Sequence, residues 1–390
     1  MALAYVNPEL LVWARTKANL APDKVSRNFA AARILAWESG AQIPTFAQVE
    51  ELATKYKVPL LTFFLTEPPT EVTPLTDLRT LRGAARKTLS SNFNEAINDA
   101  IVRQDWYREE FPNAKPRILS KQFSIDDDVV SVAEYVRKTL RINDDLLKEC
   151  TKWRDFLDKL SENAEAAGVL VLRSSLVANN PTRKLDVKEF RGFALTDDVA
   201  PLIFINSNDT TTAQVFTLIH EVVHICINQS GISNPDPTKP LEGIRNKTEL
   251  FCNRVAAEVL VPRQKFMRSW WNSLSNADNL KRIVQHYKVS NMVALRRAYD
   301  LDKISADYFF PAVKADYARF KKKEQKDEEK ETSSKGGPEL WVVFPIRSGR
   351  KFTESVFVSL QGGKVSHIDA ARLLGLSVPT LEVFAKRRAA

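Results

Sequence analysis

At 390 residues, the chain is longer than a typical single domain, and we expect two or more domains. Hydrophobic residues make up 44% of it, which excludes a disordered protein. No apolar run reaches the roughly 18 residues of a membrane helix, so we expect no membrane partner. The net charge of +9 permits contact with nucleic acid without requiring it. Three cysteines without close pairs favour a reduced, cytoplasmic protein over a disulfide framework.

The first 67 residues read as a small bundle of short helices. Pro8 to Asn19 and Phe46 to Tyr56 carry apolar residues at helical spacing, and Pro22 stands where a second helix could start. Between them a further helix should end at Gly40. The run from Leu35 to Pro44, with Trp-Glu-Ser-Gly at its centre, resembles the Xre-type helix-turn-helix of phage repressors.

This N-terminal module departs from that resemblance where DNA would be read. Its recognition helix would start with Ala30, Ala31 and Ala32, whose methyl groups cannot hydrogen bond to a base edge. Ala32 also stands where a capping Ser or Thr is usual. Arg27 and Arg33 could still bind phosphates. Two roles therefore stay open for residues 1–67, namely DNA contact through these arginines and docking to a protein.

A proline-rich connector over residues 68–74 separates this module from a helical region over residues 78–166. Three helices are predicted there, around residues 93–111, 129–140 and 146–160, because their apolar residues recur at helical spacing.

From residue 167 the apolar period changes, and we place a separate domain over residues 167–312. Strands are predicted at Val169 to Arg173, Phe190 to Leu195 and Leu202 to Ile205, ahead of further helices. The chain as a whole is thus predicted to be a mostly helical α+β multidomain protein. An exposed edge strand of the small sheet could pair with an extended peptide.

The stretch Thr217 to His224 contains His-Glu-x-x-His within an apolar, helix-compatible run. Residues four apart lie on one face of a helix, so His220 and His224 can present their imidazoles to one metal ion. Glu221 then projects beside the metal, where a carboxylate can act as a general base. This combination is typical of zinc proteases, and Zn²⁺ is the predicted cofactor.

A third metal ligand is expected from a second helix, which runs from Glu249 to just before Pro262. Glu249, Cys252 and Glu258 could each supply it, and Glu249 is favoured. Asn253 shares a face with Glu249, and its side chain could hydrogen bond to one of the two histidines.

These two helices resemble the ImmA/IrrE family of metallopeptidases, as do the strands that begin at Arg191 and Pro201. The resemblance implies that His220, His224 and Glu249 bind zinc and that Glu221 is the base. Val223 replaces a glycine that is usual in the family helix, which leaves the ligands intact. The resemblance also implies a protein substrate, namely a helix-turn-helix repressor of the Xre type.

The remaining segments carry weaker signals. Residues 228–247, between the two ligand helices, could be a plain connector or a lid over the cleft. A charged linker is predicted over residues 313–337, starting as a frayed helix, and a C-terminal module over residues 338–390. In that module Trp341 to Pro345 is predicted to be a strand. The run that starts at Ser366 resembles a second helix-turn-helix, with Gly375 at its turn.

Two classes of function follow from these predictions. The first is a zinc endopeptidase that cleaves a repressor and thereby derepresses phage, mobile-element or stress genes. The second is a DNA-binding regulator, or an antitoxin-like or phage-defence binding protein, in which the metal site is not catalytic. An intact Glu221 favours the first class, because a purely structural metal site does not need that carboxylate.

Overall fold

The computed structural model contains helices and one small mixed sheet, as expected for a mostly helical α+β protein. The chain divides into two compact units, Met1–Asn98 and Asp99–Ala390. Among the described helices, none combines the length and apolar character needed to cross a membrane. The structure describes residues 2–18, 20–26, 28–56, 58–69, 90–118, 122–233, 246–331 and 340–389, with the backbone alone for 320–331 and 388–389.

The first unit contains helices α1 (Pro8–Lys17), α2 (Ala31–Glu38) and α3 (Phe46–Tyr56). They enclose a hydrophobic core of their own, which includes the fully buried Tyr56. The helices at Pro8 and Phe46 were predicted, and Gly40 follows α2 with a φ of 74°. The helix expected at Pro22 is wrong, since only a three-residue 3₁₀ turn forms there.

Helix α2 begins without the side-chain cap that would satisfy its first amide groups. Its N-cap residue is Ala30, two residues earlier than predicted, and makes no side-chain hydrogen bond. Arg33 is exposed on this helix, whereas Arg27 lies outside the described residues. Most of the connector predicted over residues 68–74 also lies outside them.

Helix α4 begins in the first unit, and the helices that follow it belong to the second. Where one helix was predicted over residues 146–160, there are two. The chain becomes extended at Cys150, and the next helix starts where the Asp155 carboxylate accepts a hydrogen bond from the Lys152 amide at 3.0 Å. The helices are α4 (Ser91–Glu110), α5 (Val129–Thr139), α6 (Asp144–Glu149), α7 (Trp153–Ala166), α8 (Thr211–Cys226), α9 (Lys247–Leu260), α10 (Arg263–Ser269), α11 (Asn276–Tyr287), α12 (Asn291–Asp300), α13 (Ala306–Glu331), α14 (Leu340–Ser348), α15 (Arg350–Gln361), α16 (His367–Leu374) and α17 (Val378–Ala389).

The described sheet has four strands in the order β1-β3-β2-β4. The three predicted strands form as β1 (Leu170–Ser174), β2 (Gly192–Leu195) and β3 (Leu202–Asn206). β1 pairs with β3 in parallel, and β2 pairs antiparallel with β3. The fourth strand, β4 (Gly231–Ser233), was not predicted and pairs antiparallel with β2. It lies within the segment that was left open as connector or lid, and residues 234–245 of that segment lie outside the described chain.

Helix α8 lies at the centre of the second unit. It packs against α7 and α9 and against strands β2, β3 and β4. Nearly every residue from Gln214 to Cys226 is buried. Because burial surrounds the helix, polar side chains on it must be satisfied by a neighbouring element or by a ligand.

The C-terminal helices of the second unit pack on its sheet and on α7. The strand predicted at Trp341 to Pro345 is wrong, because this run lies in α14. A short apolar run does not distinguish strand from helix, and here Phe344 and Ser348, four apart, are the buried positions. The predicted pair α16 and α17 forms as expected, with Gly375 at the turn in the left-handed conformation, at a φ of 65°.

Candidate active site

The start of helix α8 is fixed by two polar contacts. Thr210 caps it, since its hydroxyl accepts a hydrogen bond from the amide of Ala213 at 3.3 Å. The preceding residue, Asp209, pairs with Arg191 beside β2, with Arg191 Nη1 2.6 Å from the carboxylate. These contacts anchor the helix to the sheet three turns before its two histidines.

The imidazoles of His220 and His224 converge on one point. Their Nε2 atoms lie 3.1 Å apart, and both side chains are buried. On His224 the other ring nitrogen, Nδ1, lies 3.0 Å from the carbonyl oxygen of Gln229. An Nδ1–H that donates to this carbonyl leaves the Nε2 lone pair free for a metal.

Glu249, on α9, joins the two histidines. Its carboxylate oxygens lie 3.3 Å from His220 Nε2 and 3.2 Å from His224 Nε2. Helix α9 is held in this position by its extensive contact with α8, and Asn246 caps its first turn. The three side chains predicted as ligands are thus brought together.

Two other residues of α9 were considered as the third ligand. The carboxylate oxygens of Glu258 accept hydrogen bonds from the Arg263 amide, at 2.8 Å, and from Arg297. Glu258 is therefore engaged away from the histidines. Cys252 is different, because it and the two histidines each offer a ligand atom within 4.8 Å of the others.

Asn253 lies beside His220, as the spacing on α9 suggested. Asn253 acts to raise the pKa of His220, against the larger lowering by burial. In the described part of the chain, His220 Nδ1 and Asn253 Oδ1 are both buried and have no hydrogen-bond partner. A hydrogen bond from this Nδ1–H to the Asn253 oxygen would leave His220 Nε2 free to bind a metal.

Glu221 is fully buried between α8 and the sheet. Gly192 of β2 approaches it so closely that a Cβ there would lie 3.1 Å from Glu221 Oε1. On β4, Ser233 lies near both Glu221 and His224, its hydroxyl oxygen 3.5 Å from His224 Nε2. Burial raises the pKa of the Glu221 carboxyl to about 8, so this group readily accepts a proton near neutral pH.

The other ionisable groups of the site influence one another. Burial lowers the pKa of His220. Burial acts in the same direction on His224, but the neighbouring Cys252, Glu249 and Glu221 outweigh it and raise its pKa. For Glu249, burial alone would raise the pKa, but the two neighbouring histidines outweigh it and lower the pKa. The carboxylate of Glu249 is thus kept ionised, as a metal ligand must be.

This donor set fits a divalent metal ion. Two imidazole nitrogens and a carboxylate surround one point, and both oxygens of the adjacent Glu221 lack a hydrogen-bond partner among the described residues. A buried, unpartnered carboxylate is costly unless a ligand or cation compensates for it. Imidazole and carboxylate donors are those that zinc takes in catalytic sites.

Comparison with known protein families identifies the domain that carries this site. The peptidase M78 family model, described as the IrrE N-terminal-like domain, matches residues 164–299. This part of the chain is similar to the IrrE N-terminal-like domain. The match begins near the end of α7 and includes the sheet and both ligand helices, so the predicted resemblance to the ImmA/IrrE family is confirmed. A search of the curated proteins found no match.

Within the IrrE N-terminal-like domain, sequence reasoning missed the residues contributed by β2 and β4. Gly192, Gly231 and Ser233 all contact the site, and a Cβ on Gly231 would lie 3.1 Å from His224 Cε1. A three-residue strand leaves no periodic signal, and its pairing with β2 is a tertiary contact. The one local signal is the glycine itself, which marks a close approach of the backbone.

Proposed function

We propose that the protein is a zinc-dependent endopeptidase of the ImmA/IrrE type. The observation that carries this proposal is the convergence of His220, His224 and Glu249 on one point, with the buried carboxylate of Glu221 beside it. The match of residues 164–299 to a peptidase family supports the same reaction class.

The chemistry divides between the metal and the chain. A zinc ion held by the two histidines and Glu249 would polarise the scissile carbonyl and acidify the attacking water. Glu221 takes a proton from that water and then passes it to the leaving amine. The carbonyl of Gln229, 3.0 Å from His224 Nδ1, and the side chain of Asn253 would hold the imidazoles in the tautomer that leaves Nε2 unprotonated.

The substrate would bind as an extended peptide along β4. This strand ends the described sheet on the side of the histidines, and its Gly231 backbone lies against the ring of His224. A peptide that adds to the edge of β4 forms main-chain hydrogen bonds, which place its carbonyl groups near the site. The small residues of β4 allow this close approach.

We further propose that the substrate is a helix-turn-helix repressor of the Xre type. The support for this is the resemblance of the two ligand helices to the ImmA/IrrE family, for which such repressors are the implied substrates. Cleavage of the repressor would derepress the genes that it controls.

The proposed function is tested by comparing the purified protein with Glu221→Gln and His224→Ala. The unaltered protein should contain about one zinc per chain by elemental analysis, and Glu221→Gln should retain it. Glu221→Gln should cleave repressors encoded beside its gene about 10²- to 10⁴-fold more slowly, as loss of a general base predicts. Full zinc content in His224→Ala, or undiminished cleavage by Glu221→Gln, would contradict the proposal.

A further inference from the structure

Cys252 is a donor that the proposed mechanism does not use. It follows Glu249 by three residues on α9, so the two side chains lie on one face of the helix, one turn apart. A ligand atom of Cys252 lies within 4.8 Å of those of His220 and His224, and all three side chains are buried. The thiol also interacts electrostatically with the His224 ring.

We infer that Cys252 is a fourth protein ligand of the metal and keeps the proposed peptidase in a latent, closed state. This inference rests on the proposed function. Zinc sites with four protein ligands are closed and structural, whereas catalytic sites have three and leave one position for water. Two histidines, a carboxylate and a thiolate are four donors, the number that a closed zinc site takes. Peptide hydrolysis then requires Cys252 to leave the metal.

The chemistry of the neighbours distinguishes Cys252 from an ordinary packing cysteine. A free buried cysteine usually acts as a small hydrophobic residue among apolar side chains. Cys226 on α8, also fully buried, is of this kind, since it is not among the residues grouped around the histidines in the described chain. Cys252 instead lies against the two imidazoles. Thiolate is a ligand that zinc binds strongly, and zinc deprotonates a coordinating thiol.

Cobalt substitution tests the inference without relying on activity. The reduced full-length protein is stripped of metal with a chelator and loaded with Co²⁺. Its visible spectrum should show the intense bands of tetrahedral cobalt, and its near-ultraviolet spectrum a thiolate-to-cobalt charge-transfer band. Cys252→Ala should lose the near-ultraviolet band and retain cobalt. Cys226→Ala, the matched control, should keep both features.

A second measurement uses the unaltered protein alone and so does not depend on whether a variant folds. X-ray absorption of the zinc-loaded chain should show one sulfur at about 2.3 Å and nitrogen or oxygen neighbours at about 2.0–2.2 Å. Opening the fourth position should also make Cys252→Ala a faster peptidase than the unaltered chain.

The outcomes separate this inference from the proposed function. Cobalt or zinc bound without a sulfur neighbour would overturn the role of Cys252 and leave the three-ligand site in place. A near-ultraviolet band that persists in Cys252→Ala but disappears in Cys226→Ala would show that Cys226 is the sulfur ligand. That result would also overturn the role of Cys252. A chain that binds neither metal would refute the proposed function itself.

Discussion

Two glycines determine how closely the sheet approaches the residues of the site. Gly192 faces Glu221, and Gly231 faces His224. Neither has a positive φ among the backbone angles of the described chain, so the absence of a side chain, and not backbone freedom, is what the fold requires at these positions. A methyl group at either would occupy the space next to Glu221 or His224.

Gly192→Ala should therefore disturb the site without removing any polar group. The added Cβ would lie 2.6 Å from Thr217 Cγ2 and 3.1 Å from Glu221 Oε1, closer than atoms pack. We expect a loss of about 1–3 kcal/mol in the free energy of unfolding, as overpacking typically costs, together with slower peptide cleavage. Urea denaturation and cleavage assays measure the two effects.

Gly362→Ala is the control for this substitution. Gly362 has a φ of −77°, and its nearest non-neighbouring atom would lie at 3.4 Å from the new Cβ, an ordinary contact. Its unfolding free energy should change by no more than about 0.5 kcal/mol. If Gly192→Ala were equally neutral in stability and cleavage, the close approach of β2 to Glu221 would be of no consequence.

Helix α9 carries two carboxylates with different tasks. Glu249 faces the histidines, whereas Glu258, more than two turns later, pairs with Arg297 on α12 and caps the start of α10 through the Arg263 amide. One is proposed to bind the metal, and the other holds helices together.

Replacing each carboxylate by alanine should separate these tasks. Glu249→Ala should lower zinc affinity by at least about 10-fold. This is the smallest loss expected even for a residue that only hydrogen bonds to a metal ligand. Glu258→Ala leaves the buried Arg297 without its partner and should lower the unfolding free energy by about 3–5 kcal/mol. Competition with a zinc-binding dye and chemical denaturation give the two values. A reversed ranking in zinc affinity would mean that Glu258 is the ligand.

The sequence predicted α8 and α9 well because both carry strong local signals. The spacing of His220 and His224 is a helical spacing, and Pro262 marks the end of the second helix. β4 and α14 could not be predicted in this way. Strand β4 is too short to show a hydrophobic pattern. The apolar run of α14 is compatible with a strand or a helix, and its packing against β1 is a tertiary contact that the local sequence does not show.

Helix α2 begins without a polar residue, and this affects how the N-terminal module could bind DNA. Ala30 and Ala31 offer no group that reads a base, and the exposed Arg33 could bind a phosphate. Residues 1–67, which have their own core, should bind duplex DNA at about 10⁻⁴–10⁻⁶ M, with affinity that falls steeply as salt rises. Titration against the promoter of its own gene and a scrambled duplex tests this. Discrimination of about 10³-fold would show that the module reads sequence.

The C-terminal helices contact the rest of the second unit through charged groups near the end of α7. The carboxylate of Glu165 accepts a hydrogen bond from the Lys351 amide at 3.0 Å, and Glu162 pairs with Arg350. Burial raises the pKa of Glu165 from 4.5 to about 7, although Lys351 and Arg350 oppose this rise.

This carboxyl should make the stability of the second unit depend on pH. Because its folded-state pKa is raised, its stabilising contribution is complete below about pH 4.5 and is lost as pH rises through about 7. Thermal unfolding of Glu165→Gln should show a flatter dependence on pH over this interval than the unaltered chain. Glu162→Gln, which leaves the buried carboxyl in place, is the control. Equal slopes for all three proteins would exclude Glu165 as the titrating group.

The position of Gly349 has a consequence for shortened forms of the protein. With a φ of 80°, it brings the α14–α15 junction against β1, so that a Cβ there would lie 3.0 Å from the Val171 carbonyl oxygen. β1 ends the described sheet on the side away from β4. A chain cut before residue 340 would expose the amide and carbonyl groups of this strand, which is a template for self-association through edge-to-edge pairing. A chain shortened in this way should thus be prone to aggregate, which the C-terminal helices prevent by covering β1.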